Sequence, residues 1–167
     1  MILEWLLLLV FPALMVLAGA YDLLTMTIPN KISLALVGAF VCLAPFAGFG
    51  WEAIGFHAML GVAMLVVTIA MFATGWIGGG DAKIFAAASL WMGPAHILEF
   101  TVIAAVCGGI LTLAILNLRR VPLPAGLAGQ AWLKRLHRAD HGVPYGIALS
   151  AAALIVYPQT AWLTGLN

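Results

Sequence analysis

Charge is what this chain has least of: six acidic and seven basic side chains serve 167 residues, and only 8% of positions are charged. Soluble domains carry about 25% charged residues. With 65% hydrophobic residues and a mean hydropathy of +1.14, the chain has too little polar surface to cover a globule in water. Cysteine is scarce too. Cys42 and Cys107 both sit in apolar stretches, without a C-x-x-C pattern or a neighbouring His, which excludes a disulfide framework and a zinc site of that kind. The four histidines, His57, His96, His137 and His141, show no H-E-x-x-H or comparable ligand spacing. No metal or organic cofactor is predicted. Basic residues interleaved with aromatics on one face are missing as well, so nucleic acid is not an expected partner. Gly78 to Lys83 lacks the Gly-Lys-Ser/Thr of a phosphate-binding loop.

Long apolar runs are what the chain does have. Leu3 to Val16 followed by Ala18-Gly19-Ala20 imitates a secretory signal, but the segment before it carries Glu4 and no Lys or Arg, so a retained first helix is expected. Reading the runs against their breakers gives six candidate spans, about Leu3 to Ala20, Ile32 to Ala47, Ala53 to Thr74, Ile84 to Leu98, Phe100 to Leu118 and Val143 to Leu163. Gly93-Pro94 and His96 interrupt the fourth, so a re-entrant segment is the competing reading there. Six crossings put Lys31, Lys83, Arg119, Arg120, Lys134, Arg135 and Arg138 on one side, and Glu4, Glu52, Glu99 and Asn167 on the other. The positive-inside rule makes the first side cytoplasmic. The predicted fold is therefore an all-α polytopic membrane protein, residues 1–167 forming one six-helix bundle in the bilayer with both termini outward. Residues 119–142 form its one long polar loop, with five basic residues, and Gln130 to His137 is expected to be an amphipathic helix at a lipid surface.

In this setting an acidic side chain near the hydrocarbon boundary marks a functional site by default. Asp81 follows three consecutive glycines, Gly78, Gly79 and Gly80, and precedes Lys83. The topology places Asp22, at the end of the first span, on the same cytoplasmic face. Two aspartates in a wet pocket share a proton, because mutual repulsion disfavours ionising both. The ionised member then takes a proton from a water attacking an amide carbonyl, while the protonated one donates. The glycines suit such a site by allowing positive φ and close approach of a peptide. The competing structural reading is an ordinary helix break with Asp81 near a helix start and Asp22 at the interface. Ser33 with Lys31, or Ser89 with Lys83, would make a serine-lysine dyad, but Ser in an apolar helix usually bonds back to its own backbone. Asp140-His141 reads as a cap before the last helix. Gly108-Gly109 and Ala86 to Ala88 are expected to serve close helix packing.

Gly78-Gly79-Gly80-Asp81 is a G-x-G-D motif, Asp22 stands six residues before Ile28-Pro29-Asn30, and Pro144-Tyr145 opens the last span. Together these resemble the type IV prepilin peptidase family of G-x-G-D membrane aspartyl proteases, in particular its small members from tight-adherence (Flp) pilus systems. The resemblance runs from Asp22 to the last helix. It implies cleavage, at the cytoplasmic face of the bacterial inner membrane, of the short basic leader of prepilins or pseudopilins just before their hydrophobic segment. Asp22 and Asp81 would be the catalytic pair. Gly78, Gly79, Gly80 and Lys83 would shape the loop, with Ile28, Pro29, Asn30, Pro144 and Tyr145 supporting it. The larger members' cysteine-bearing domain, associated with N-methylation, has no counterpart, so peptidase without methyltransferase activity is implied. Expected partners are the prepilin substrate, the bilayer and pilus or secretion assembly proteins. The small relatives' basic residues between Asp and Ile-Pro-Asn are replaced here by Leu23 to Thr27. The rivals are a small cation or proton-coupled transporter or channel using the same aspartates, and an inactive membrane scaffold.

Overall fold

The computed structural model describes residues 2–123, 126, 129–140 and 142–164. His141 and Asn167, on which two of the expectations above fall, lie outside them. Among the described residues the chain is all helix, turn and loop, with no strand. Its first helix, α1 (Ile2–Thr25), ends where Met26 adopts φ 55° and its N–H bonds the Asp22 carbonyl at 2.8 Å. That left-handed terminus ordinarily takes Gly or Asn. A short linker follows, because Pro29 (φ −60°, ψ 136°) holds the extended geometry that starts α2 (Asn30–Leu43). The chain reverses through Ala44 to Gly50 into α3 (Trp51–Ala73), then turns at Gly75, φ 77°, into α4 (Gly79–Arg120).

This fourth helix absorbs two of the expected spans in one run, and the break falls at Gly93 (φ 68°, ψ 178°) rather than near Glu99. Pro94 explains the place: it has no N–H to offer the carbonyl four residues back, Leu90, and disfavours a helical residue before it. The freed carbonyls are taken up by side chains from elsewhere. His57 on α3 donates from Nδ1 to the Leu90 oxygen at 2.8 Å, and Trp162 Nε1 donates to the Trp91 oxygen at 2.9 Å. Apolar surroundings make such replacement bonds obligatory. A side chain at Gly93 would meet the His57 ring at 2.3 Å, so the glycine is fixed twice, by φ and by space.

After α4 come α5 (Ala131–His137), α6 (Tyr145–Val156), a 3-10 turn (Tyr157–Gln159) and α7 (Ala161–Thr164). Leu133 and Leu136 of α5 are buried against Ile115 of α4, and Arg119 holds the segment by donating to the Leu136 and Gly142 carbonyls, both at 2.9 Å. These two leucines therefore face the bundle. Three helices are long and apolar enough to cross a membrane by length and composition: Leu3–Thr25, Trp51–Ala73 and Gly79–Arg120. The remaining apolar helices, Asn30–Leu43 and Tyr145–Gln159, are shorter.

The core is aromatic at one end and small at the other. Phe11 lies 5.0 Å from Trp91 and 4.6 Å from Tyr157 between ring centroids, and Trp91 lies 4.4 Å from Trp162. Polar handles inside this cluster all find acceptors: Trp91 Nε1 reaches Leu36 O at 3.0 Å and Tyr157 OH reaches Leu7 O at 2.6 Å. At the opposite end α1, α4 and α6 approach closely, and Asp22 and Asp81 belong to that end.

Candidate active site

Four chain segments meet at the second end of the bundle: the last turns of α1, the linker before α2, and the first turns of α4 and α6. Asp22, on α1, is buried, and its Oδ2 accepts the Gly146 N–H at 2.7 Å. That amide belongs to the first turn of α6, whose N–H groups have no partners within the helix. The aspartate therefore caps a helix 124 positions away in sequence. Gly146 is required for the approach, since a Cβ there would lie 2.9 Å from Asp22 Cβ and Oδ2 and from Ile28 Cδ1.

Asp81 occupies the first turn of α4, partly buried, with Oδ2 against the Gly78 backbone. Each preceding glycine makes room for a different neighbour. A Cβ at Gly78 would meet Asp81 Oδ2 at 2.9 Å, one at Gly79 the Phe72 ring at 3.2 Å, and one at Gly80 the Ile28 side chain at 3.3 Å. None of the three has positive φ; that conformation sits upstream, at Gly75. Close approach, rather than the positive φ expected from sequence, is thus what these glycines provide.

The resulting cavity has a volume of about 440 Å3, and its walls include Asp22, Asp81, Gly78, Gly79, Gly80, Ile28 and Lys83. The two carboxylates are within electrostatic reach of one another. Lys83 Nζ donates to Asn30 Oδ1 at 2.8 Å, joining the G-x-G-D segment to the Ile-Pro-Asn segment. Pro29 and Asn30 do not line the cavity; they set the start of α2 and receive Lys83. Pro144 precedes α6 and is buried, and Tyr145 lays its ring over Gly108 of α4, where a Cβ would meet it at 2.4 Å. This pair fixes how α6 presents the Gly146 amide. Gly109, by contrast, faces open space.

Sequence reasoning passed over several contributors. Met26, Thr27 and Phe72 also line the cavity, and Thr25 ties the linker by hydroxyl bonds to Tyr21 O at 2.7 Å and Thr27 O at 3.0 Å. Nothing in the local pattern marks Met26 or Phe72. Gly146 was detectable only as the glycine next to Pro144-Tyr145. Of the serine-lysine pairs, Ser89 bonds back to the Phe85 carbonyl at 2.8 Å, as its place in an apolar helix predicts. Asp140 pairs with Arg138 in an exposed contact of 2.5 Å. No group of three His, Cys, Asp or Glu suited to a metal ion occurs among the described residues.

Comparison with curated proteins and with solved structures finds no match. A family model does match, over residues 9–113, a stretch that contains Asp22, the Ile28-Pro29-Asn30 linker, all of Gly78 to Lys83 and most of α4. Most of the chain is covered, and what the match leaves out is the start of α1, the tail of α4, α5 and the helices from Tyr145 onward. The chain belongs to the type IV leader peptidase family.

Proposed function

We propose that this membrane peptidase is an aspartyl endopeptidase that removes the short basic leader of a prepilin or pseudopilin, with Asp22 and Asp81 as its catalytic pair. The observation that carries the reading is the shared cavity: two carboxylates from distant helices, α1 and α4, line one pocket whose other walls are the three glycines and Ile28. Nothing else in that lining can ionise except Lys83.

One carboxylate begins ionised and the other protonated. The ionised aspartate takes a proton from water as its oxygen bonds to the scissile carbonyl carbon, and the protonated one donates to the carbonyl oxygen. Collapse of the tetrahedral intermediate breaks the C–N bond, with a proton passing to the leaving nitrogen and the carbonyl re-forming. The pair returns to its one-proton state, and no metal or organic cofactor takes part. Asp22 is held by the Gly146 amide of a distant helix. Asp81 sits on the glycine-rich turn and lines the cavity beside it.

The site belongs to the cytoplasmic face of the bacterial inner membrane in this reading. Support comes from the basic residues at the same end: Lys83 in the cavity wall, Arg135 bonded to the Leu24 carbonyl, and Arg119 holding α5. Six crossings with outward termini suit that charge distribution, with the Gly93-Pro94 break separating the fourth from the fifth. Pilus or secretion assembly proteins are the expected company. The ion-pathway reading gains no support, since both aspartates lie at one end of the bundle and the family is one of peptidases. The test is co-expression of the chain, or its Asp81→Asn variant, with a prepilin from the same genome, followed by mass measurement of the pilin N-terminus. Leader removal by the parent alone is the expected result; an intact leader with both would defeat the reading.

A further inference from the structure

A second cavity is larger than the one that holds the aspartates. It is a groove of about 640 Å3 between α2 and α3, floored by α4 and lined almost wholly by apolar atoms. The two walls both pack on α4 but make little contact with each other, so the groove is open along the outer side of the bundle. It follows the whole of α2, 14 residues or about 21 Å of helix. That covers roughly two thirds of a 30 Å hydrocarbon core.

The two cavities meet. Lys83 lines both, and its partner Asn30 stands at the same end of the groove. From this hydrogen-bonded pair the groove leads away from the carboxylates, past Val37 on one wall and Val62 on the other, towards Trp51 at the far mouth. Val37 and Val62 are 41% and 62% exposed, and Trp51 is 81% exposed, so large apolar surfaces stand unpartnered along its length. The floor includes Ala86 and Ala87, small residues that permit a helix backbone to come close in lipid.

We infer that this groove receives the apolar helix that follows the scissile bond of the substrate, so that a membrane-inserted prepilin docks sideways from the bilayer. The inference rests on the leader-peptidase reading above. A substrate whose peptide bond lies between Asp22 and Asp81, and whose next residues must re-enter hydrocarbon, needs an apolar path leading out of the aspartate cavity. The groove joins that cavity at Lys83 and opens to the side. The Lys83–Asn30 bond marks the step from polar cavity to apolar groove, and the basic leader would lie on the aspartate side of it. A lipid acyl chain is the competing occupant.

Photo-cross-linking in intact membranes separates them. A benzoylphenylalanine is placed at Val62, at Val37, or at Val102, an exposed residue of α4 outside the groove, each in the Asp81→Asn background that keeps the substrate whole. The probe is a full-length prepilin from the same genome, co-expressed. Cross-links from Val62 and Val37 to the prepilin's apolar segment, absent from Val102, are expected. In parallel, Val62→Trp should lower cleavage of that prepilin at least tenfold while Val102→Trp leaves it unchanged. Cross-links to lipid alone, equal cross-linking from Val102, or parental cleavage by Val62→Trp would overturn the docking inference while the parent's cleavage upholds the peptidase reading. If the parent chain itself cuts no prepilin, both fall together.

Discussion

The Gly146 amide donates to Asp22 Oδ2 at 2.7 Å, joining the end of the first helix to the start of the sixth across 124 positions. Both carboxylates of the proposed pair are held by backbone, Asp22 by an amide from a distant helix and Asp81 by Gly78 of its own turn.

Gly146→Ala should be among the most damaging single-atom changes in the chain. Its Cβ would lie 2.9 Å from Asp22 Cβ, from Oδ2 and from Ile28 Cδ1, and Asp22 Cβ cannot retreat without moving α1. Overpacking of this kind costs about 1–3 kcal/mol. Leader cleavage, read from initial rates at matched membrane levels, should fall about 100-fold, in line with the cost of misplacing a catalytic group. Near-parental cleavage would mean that the Asp22 position is not critical.

Asp22→Asn and Asp81→Asn should each lower cleavage by about 100- to 10,000-fold, the range for losing one general acid or base. Asp22→Asn preserves an oxygen able to accept the Gly146 N–H, so its membrane level should match the parent's. The two lesions should not add, because each alone disables the shared chemistry. Full activity in either single variant would count against the dyad.

The pair should also give cleavage a bell-shaped pH profile. Activity needs one proton between two carboxylates, so it should be lost at low pH as both become protonated and lost at high pH as both ionise. The two limbs belong to the pair and not to either residue. A purified-enzyme pH series with a leader peptide measures it, and a profile with only one limb would indicate that a single ionisation suffices.

Lys83 and Asn30 make a softer contribution. Their 2.8 Å bond is exposed, so its worth should be about 1 kcal/mol or less. Lys83→Met and Asn30→Ala should each slow cleavage less than tenfold, and the double variant should be no worse than the poorer single. Additive losses would show that the two act separately.

His57 and Gly93 should matter to stability rather than to chemistry. His57→Leu leaves the Leu90 carbonyl without the donor that replaces Pro94's missing N–H, at a cost of about 1–3 kcal/mol. Gly93→Ala faces both φ 68° with extended ψ and a 2.3 Å clash with the His57 ring, so it should be the worse of the two. Thermal unfolding in detergent reads the loss, while cleavage per folded molecule should stay near parental.

Composition and motif spacing dictated the environment and the chemistry on offer. So few charges among so many apolar residues dictate helices in lipid, because backbone polar groups there must be satisfied locally. Within that setting Asp22 and the G-x-G-D aspartate stood out, since an acid in such surroundings is too costly to be incidental. Gly93-Pro94 likewise announced an interruption, although the length of the helix around it did not follow from the apolar runs.

Tertiary structure alone decided which groups meet. The partner of Asp22 is a backbone amide, and amides carry no side-chain signature; only the approach of α6 to α1 shows it. The glycines before Asp81 suggested positive φ and close approach of a peptide, yet each provides space for Asp81, Phe72 or Ile28, a distinction fixed by packing and invisible to local pattern. The same holds for α5, whose leucines pack on Ile115, and for the groove beside α2. Periodicity tells which face of a helix is apolar, but in a bilayer both lipid and protein satisfy an apolar face, so only the fold determines which of them it meets.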